Sequence, residues 1–267
     1  MGIDVETLAG ILVEAGVLEP DQRRLLLERA DFQHARLLDQ AATVGEGRRK
    51  VKPRVSPAQV VASMRFELPG GGGRVLGEDR IVEVLAAARG WQYEKIDPLK
   101  LDTRLVTGTL SLPFARKHSV VALSLSNGML RVAMADPDDR ALIEEIRKVT
   151  GLEVKGVASA QSDIQKVITE VYGFSKSVDA AHAQITQGVD LGNLEQLVRL
   201  KRVEEIEADD RHIVNAVEYV LHYAFDQRAS DIHIEPKREH SQVRMRIDGV
   251  LHDIYQIPKE VHPAFVS

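Results

Sequence analysis

The sequence predicts an α+β fold made of a small helical amino-terminal module, an α+β domain and a shorter α/β domain. Three observations carry this prediction: apolar helical stripes near the amino terminus, a strand–strand–helix–strand–helix pattern over 79–173, and three strand-like segments after residue 230. Of the 267 residues, 44% are hydrophobic and 28% are charged, which is typical of globular proteins. This length allows one large domain or two to three small ones.

Charge and composition exclude several classes of function. Lys and Arg number 35 against 40 for Asp and Glu, giving a net charge of -5, whereas nucleic-acid-binding proteins usually carry a positive surplus. Aromatic residues make up 4%, which argues against a base-stacking platform. Without cysteine, disulfides, thiolate nucleophiles and Cys-ligated zinc are excluded. No apolar run approaches the ~18 residues that span a bilayer, and no signal peptide opens the chain, so we expect a soluble intracellular protein.

Residues 1–40 predict two helices around a sharp corner. Leu8, Leu12 and Val13 share one apolar stripe, and Gly16 suits a left-handed termination. Pro20 then suits the first turn of a second helix. Because so short a unit buries little surface, we expect it to pack on a neighbour.

Residues 41–78 predict a linker that contains one short helix. Ser56 and Pro57 favour a helix start, and 70–73 is a run of four glycines. The basic residues within 48–54 are interpreted as a solvated linker. Contact with an acidic partner or a membrane surface is the alternative.

Residues 79–173 predict an α+β domain that opens with a helix over 79–89. Asn127-Gly128 favours the positive φ angles of a tight turn and therefore predicts a β-hairpin. Asp136 is predicted to cap the next helix, with Pro137 at its first position. The apolar stripe of that helix is Leu142, Ile143, Ile146 and Val149, and Gly151 ends it.

After a third strand, the last helix of this domain is predicted to start at Ser162 or Asp163 and to end near Gly173. Its apolar positions follow the helical spacing i, i+3, i+4, i+7, i+8. Residues 174–208 predict a linker with one charged helix near 193–203.

Residues 209–267 predict a further domain, which begins with a helix capped by Asp209 and Asp210. Three strands follow it, and Asp248-Gly249 forms the turn between the last two. The apolar positions assigned to the helix are Ile213, Val214, Val217, Val220, Leu221, Ala224 and Phe225. Because these elements are too few to close a core, we expect a truncated domain.

Two of these strands, RASDIHIEP and VRMRIDGVL, resemble the second amino-terminal domain of the secretion and pilus ATPase superfamily. This family includes the type II secretion ATPase (GspE) and the type IV pilus extension ATPase (PilB). The segment that runs from LPFARK to ITEVYG is similar to the family's first globular amino-terminal domain. The resemblance implies a docking domain at 79–173, a truncated α/β (PAS-like) domain at 209–267, and no RecA-like motor domain.

The resemblance further implies the amino-terminal docking and regulatory region of a motor ATPase that assembles a pseudopilus or pilus. Such motors use ATP and Mg²⁺ bound to a G-x-x-x-x-G-K-[ST] loop. Here Gly72-x4-Gly77 continues with Glu78 and Asp79, whose carboxylates would repel phosphates. We therefore expect no catalytic residue, no bound cofactor and no ATP turnover in this chain alone. The alternative is a standalone nucleotide-sensing or adaptor module.

Partners and location are also implied by the resemblance. They are the cytoplasmic domain of an inner-membrane assembly protein, the chain's own motor domain, and the neighbouring subunits of a hexamer. No nucleic acid is expected. The implied location is cytoplasmic and peripheral at the inner membrane.

In the family, the second amino-terminal domain closes over nucleotide held by the motor domain. Arg244 and Arg246 lie on the polar face of a predicted strand of this domain, so the resemblance makes them candidate arginine fingers. The alternative is an ion pair with Asp231, Glu235 or Asp248.

A metal site is not expected in this chain. His233, Glu235 and His240 offer suitable ligand types, but they lack the spacing of known metal motifs. A polar strand face explains the first two.

The opening helices resemble a cyclic-dinucleotide-binding module whose motif reads approximately R-L-G-x-x-L-V-x-x-G. Its frame is matched by Leu8, Leu12, Val13 and Gly16. Thr7 replaces the arginine, and Ala9 replaces the first glycine. Because the guanidinium is the strongest phosphate contact, we expect the fold of the module to be retained without ligand binding.

Overall fold

The computed structural model describes residues 3–43, 54–70, 72–187 and 211–267, and the chain forms two compact units, Met1–Ile168 and Thr169–Ser267. Within those ranges, no helix combines the length and the apolar character needed to cross a membrane. The predicted helix near 193–203, the Asp209-Asp210 cap and most of the basic segment 48–54 lie outside the described residues.

Four helices at the start of the first unit share one core. They are α1 (Val5–Glu14), α2 (Pro20–Thr43), α3 (Pro57–Ser63) and α4 (Glu78–Arg89). Leu8, Leu12 and Leu26 are fully buried in this core together with Ile81. The predicted corner is confirmed, because Gly16 has a φ of 68° after α1. This core contains residues from the predicted helical module, the predicted linker and the start of the predicted α+β domain. The domain boundaries at residues 40 and 78 stay predictions.

The rest of the first unit is a three-stranded sheet with helices. In chain order the elements are a 3-10 turn (Pro98–Lys100), α5 (Thr103–Thr109), α6 (Leu112–His118), β1 (Val121–Ser126), β2 (Met129–Met134), α7 (Arg140–Thr150), β3 (Glu153–Ala158) and the start of α8 (Gln161–Gln187), whose residues from Thr169 onward belong to the second unit. The strand order is β1-β2-β3, with β1 antiparallel and β3 parallel to β2. The predicted hairpin is confirmed, with φ values of 51° at Asn127 and 75° at Gly128.

The start of α7 differs from the prediction. Asp139, not Asp136, is the N-cap, and it accepts a hydrogen bond from the Leu142 backbone N–H at 3.0 Å. Asp136 instead accepts from the Asp138 N–H at 3.0 Å and closes a turn ahead of the helix. The buried stripe is also shorter than predicted, because Val149 is 58% exposed near the end of α7.

Helix α8 is longer than predicted at both ends. It starts at Gln161, so Ser162 and Asp163 lie in its first turn and do not cap it. It continues to Gln187, whereas the sequence predicted an end near Gly173 and a linker from 174. The continuation has a physical reason, because Phe174 and other residues at helical spacing beyond it are buried.

The second unit contains the later part of α8, two helices and an antiparallel sheet. Its further elements are α9 (Arg211–Asp226), β4 (Asp231–Pro236), β5 (His240–Ile247), β6 (Val250–Pro258), a 3-10 turn (Lys259–Val261) and α10 (His262–Val266). The strand order is β4-β5-β6. The predicted turn is confirmed, with φ values of 49° at Asp248 and 81° at Gly249. Phe174 stacks on Tyr255 at 3.9 Å between ring centroids.

The apolar residues of α9 lie on two faces. The predicted helix is confirmed, and Ile213, Ala216, Val220, Tyr223 and Ala224 on one of its faces are buried. Val214, Leu221 and Phe225 belong to the same helix but are 38%, 55% and 84% exposed. These three residues recur at i, i+7 and i+11, so they form a second face that the sheet of this unit does not cover.

Candidate functional site

The candidate site is the polar face of β5, where strand alternation positions two arginines. Val243 and Met245 are fully buried, so the intervening Arg244 and the following Arg246 project from the opposite face. The register with β4 sets Arg246 opposite Asp231. The register with β6 sets Arg244 opposite Asp253.

Arg244 is held between carboxylates of both neighbouring strands. Its Nη1 donates a hydrogen bond to Glu235 Oε1 at 3.2 Å, and its Nε lies 2.8 Å from Asp253 Oδ1. Lys237 Nζ donates to the other oxygen of Glu235 at 2.9 Å. The hydrogen bond from Lys237 and, to a smaller extent, the one from Arg244 lower the pKa of Glu235 below its ordinary value. This carboxylate therefore stays ionised at neutral pH.

Arg246 has one carboxylate partner. Its Nε donates to Asp231 Oδ2 at 3.2 Å, and its Nη1 donates to the Gly249 carbonyl at 3.3 Å. The side chains of Arg244 and Arg246 are 31% and 40% exposed. Arg244 therefore contacts two carboxylates, and Arg246 contacts one carboxylate and one backbone carbonyl.

Two of the three carboxylates that the sequence offered as ion-pair partners do pair with the arginines. Asp231 and Glu235 pair with the arginines, whereas Asp248 lies in the hairpin turn. Asp253, which also pairs with Arg244, was not predicted from the sequence. Counting the register outward from the two-residue turn would have set it opposite Arg244. The arginine-finger role itself stays a prediction.

The residues of the cyclic-dinucleotide motif have structural roles in the first unit. Leu8 and Leu12 are fully buried in the helical core, Val13 is half-buried, and Gly16 adopts the left-handed conformation that ends α1. Exposed Thr7 donates its backbone N–H to Asp4 Oδ1 at 2.7 Å. The expected loss of ligand binding stays a prediction.

The described ranges hold no group of three or more His, Asp or Glu residues arranged to bind a metal ion. His233 pairs with Arg244 across β4 and β5, and His240 pairs with Pro258 across β5 and β6. These two histidines therefore occupy different positions along the sheet. The pairing of His233 with Arg244 agrees with the interpretation that His233 lies on a polar strand face.

Two family models match the chain in succession. The MshEN domain matches residues 89–178, and the Type II/IV secretion system protein matches residues 206–267. The two matches define a class of protein, in which an MshEN domain precedes sequence of a secretion-system protein. The first match includes the β1–β3 sheet, and the second includes the strand that carries Arg244 and Arg246.

Relatives with known names agree with this class. The type IV pilus assembly ATPase TfpB of Acinetobacter baylyi is 31% identical over 189 residues, which cover 70% of this chain and 32% of that protein. The type II secretion system protein E of Xanthomonas campestris pv. campestris is 30% identical over 158 residues, covering 59% of this chain and 27% of that protein. A solved structure described as "Structure of MshE with cdg" is 21% identical with a TM-score of 0.38, covering 62% of this chain and 98% of that one.

The resemblance found in the sequence is therefore confirmed. This chain carries the amino-terminal part of the type II secretion and type IV pilus assembly ATPase family. It spans 32% and 27% of the length of the two relatives named above.

Proposed function

We propose that this chain is the amino-terminal docking and regulatory region of an ATPase that powers type II secretion or type IV pilus assembly. The observation that carries the proposal is the 31% identity to a pilus assembly ATPase over 189 residues. The two family matches support it, because they follow one another along the chain. The relatives are named as ATPases or secretion proteins, so ATP and Mg²⁺ belong in this proposal to the complete motor.

The docking part of the proposal concerns the MshEN segment. Its partner is the cytoplasmic domain of an inner-membrane assembly protein. We assign the contact to the end of the β1–β2 hairpin, where Leu125 and Met129 are 45% and 39% exposed on opposite faces of the ribbon. The end of the hairpin therefore exposes apolar surface on both of its faces, and a partner that encloses the hairpin end would bury both side chains.

The regulatory part of the proposal concerns the second unit. Arg244 and Arg246 meet the phosphate charge of a nucleotide that the motor domain holds, in the complete and oligomeric ATPase. Their ion pairs with carboxylates of the neighbouring strands support this role, because a guanidinium that is already held in place loses less entropy on binding an anion. In the chain alone, without a phosphate-binding loop, we expect no ATP turnover.

The experiment measures ATP turnover and melting temperature of the complete ATPase with Arg244→Ala or Arg246→Ala. A finger predicts a loss of turnover of up to ~10³–10⁵-fold, with poor rescue by Lys because an ammonium has no planar fork. Arg238→Ala, in the exposed β4–β5 turn, is the matched control. Near-normal turnover in both variants would contradict the role and leave the arginines as surface ion pairs.

A further inference from the structure

A cavity of about 200 Å³ lies within the first unit, where β2 and β3 end. Ala135 and Asp136 follow β2, Ser159 follows β3, and all three line the cavity. The two strands are parallel, and the crevice at the carboxyl ends of parallel strands is a common place for ligands. An apolar cavity of ~150 Å³ admits benzene. The cavity therefore has room for one ring with a small substituent, and a whole cyclic dinucleotide does not fit inside it.

Apolar side chains form much of the cavity wall. The apolar lining includes Leu8, Val82, Leu85, Met134 and Leu142, all of which are at most 7% exposed. Such a wall favours an apolar ring, because burial stabilises apolar surface by about 25 cal/mol per Å².

Two buried polar atoms of lining residues have no hydrogen-bond partner within the described part of the chain. They are Nε1 of Trp91 and Nε2 of His118. The His118 side chain is only 8% exposed, and its Nε2 lies 3.8 Å from Glu145 Oε1, which is too far for a hydrogen bond. Buried polar atoms are nearly always paired. Because an indole nitrogen only donates, the missing group at Trp91 is a hydrogen-bond acceptor.

The charges around the cavity disfavour an anion. Among the residues that the structure describes, two carboxylates line it, those of Asp136 and Asp139, against one guanidinium, that of Arg54. Burial lowers the pKa of His118, with Lys117 and Arg54 adding to the effect and Glu145 opposing it. His118 is therefore neutral at neutral pH and adds no positive charge.

We infer that this cavity is a binding site for a small neutral compound with one ring and a hydrogen-bond acceptor, such as an aromatic amide. The acceptor pairs with Trp91 Nε1, and the ring packs between the apolar side chains. This assignment does not depend on the proposed function of the chain.

Benzamide is the probe that tests the site, with benzoate and toluene as matched comparisons. Trp91 is the only tryptophan, so its indole N–H gives one NMR signal, and the methyl group of Met134 gives a second signal from the cavity wall. We expect millimolar benzamide to shift both signals in a saturable way. Benzoate should bind at least roughly tenfold more weakly, and toluene should shift the Met134 signal with little effect on the indole N–H.

Two variants keep the test independent of folding. Trp91→Phe retains an aromatic ring and removes the hydrogen-bond donor. In this variant, titrations followed by the Met134 signal should show benzamide binding no more tightly than toluene. His34→Leu, on the exposed side of α2, is the control and should bind benzamide like the unmodified chain. Failure of benzamide to shift either signal in the folded protein would overturn the inference and indicate a water-filled cavity. Benzoate binding as tightly as benzamide, or a cyclic dinucleotide displacing benzamide, would also overturn it.

Discussion

Glu78 caps a helix that starts 83 residues later in the chain, because its Oε1 accepts a hydrogen bond from the backbone N–H of Gln161 at 2.8 Å. Glu78 is in the first turn of α4, and Gln161 is in the first turn of α8. The Gln161 side chain in turn donates to the Arg54 carbonyl at 2.7 Å. The first N–H groups of a helix have no partner within it, so this carboxylate satisfies a donor that would otherwise be buried without one.

Replacing Glu78 by Ala should destabilise the first unit. The backbone N–H of Gln161 loses its acceptor, and losses of this kind cost about 1–2 kcal/mol. Urea unfolding followed by the fluorescence of Trp91 measures the change. Glu83→Ala is the control, because Glu83 lies on the same helix in a half-exposed pair with Arg80 and should cost less than ~0.5 kcal/mol. Equal losses in the two variants would contradict the capping role.

Glu78→Gln should instead change how stability depends on pH. Burial raises the pKa of Glu78 above its ordinary value of 4.5, while hydrogen bonds from Ser162 and Gln161 partly oppose the shift. The folded state therefore holds the proton more tightly than the unfolded state. This contribution to stability is fully present below pH 4.5 and is lost as pH rises through the folded pKa.

The amide keeps an acceptor for Gln161 without a charge, so the stability of Glu78→Gln should improve relative to the unmodified chain as pH rises. Unfolding free energies measured at about pH 4 and about pH 7 test this. Asp163 also makes stability fall as pH rises, because burial raises its pKa and Asp79 raises it further. Asp163 is present in both proteins, so its effect cancels when the two are compared. A difference between the two proteins that does not change with pH would contradict the prediction.

Gly173→Ala should destabilise the second unit. A Cβ at this position would overlap Oη and Cζ of Tyr219, so the ring must move. Such overpacking costs about 1–3 kcal/mol. The matched control is Gly10→Ala in α1, where no atom lies within 4 Å and the better helix propensity should stabilise by up to ~1 kcal/mol.

Amide hydrogen exchange in β5 measures the Gly173→Ala effect within the second unit. In a Tyr219→Ala background, the loss caused by Gly173→Ala should largely disappear, because the obstructing ring is gone. A loss of the same size in both backgrounds would show that the close approach to Tyr219 is not its cause.

Leu12→Ala should destabilise the first unit by about 2–5 kcal/mol, because Leu12 is fully buried and its removal leaves a cavity. Leu27→Ala on α2 is the control, since Leu27 is 37% exposed and should cost less than ~1 kcal/mol. The comparison tests whether the motif residues of α1 act as core residues. A small loss at Leu12 would contradict the structural role assigned to them.

The strands and their turns could be predicted because their signals are local. Asn127-Gly128 and Asp248-Gly249 specify tight turns, and alternation alone placed Arg244 and Arg246 on one face. The cap of α7 was missed because Asp136 and Asp139 both precede the helix, and only tertiary packing decides which one caps it. Similarly, Gly173 suggests a helix end in the sequence, whereas its contact with Tyr219 is long-range.

Other features carry no local signal. The helical pattern of α9 does not show which of its two apolar faces is covered, so the exposure of Leu221 and Phe225 was not predicted. The cavity beside His118 and Trp91 depends on segments more than 100 residues apart, from Leu8 to Gln161. Such a site becomes visible only after the chain has folded.

We propose that this chain docks an assembly ATPase onto an inner-membrane assembly protein. The most direct test mixes the purified chain with the cytoplasmic domain of that protein and maps the contact by amide hydrogen exchange. We predict saturable binding that protects amides inside residues 89–178. The double variant Leu125→Ser, Met129→Ser should weaken this binding, whereas Phe32→Ser on α2, the control, should leave it unchanged. No binding by the folded chain, or protection confined to residues 3–43, would contradict the claim.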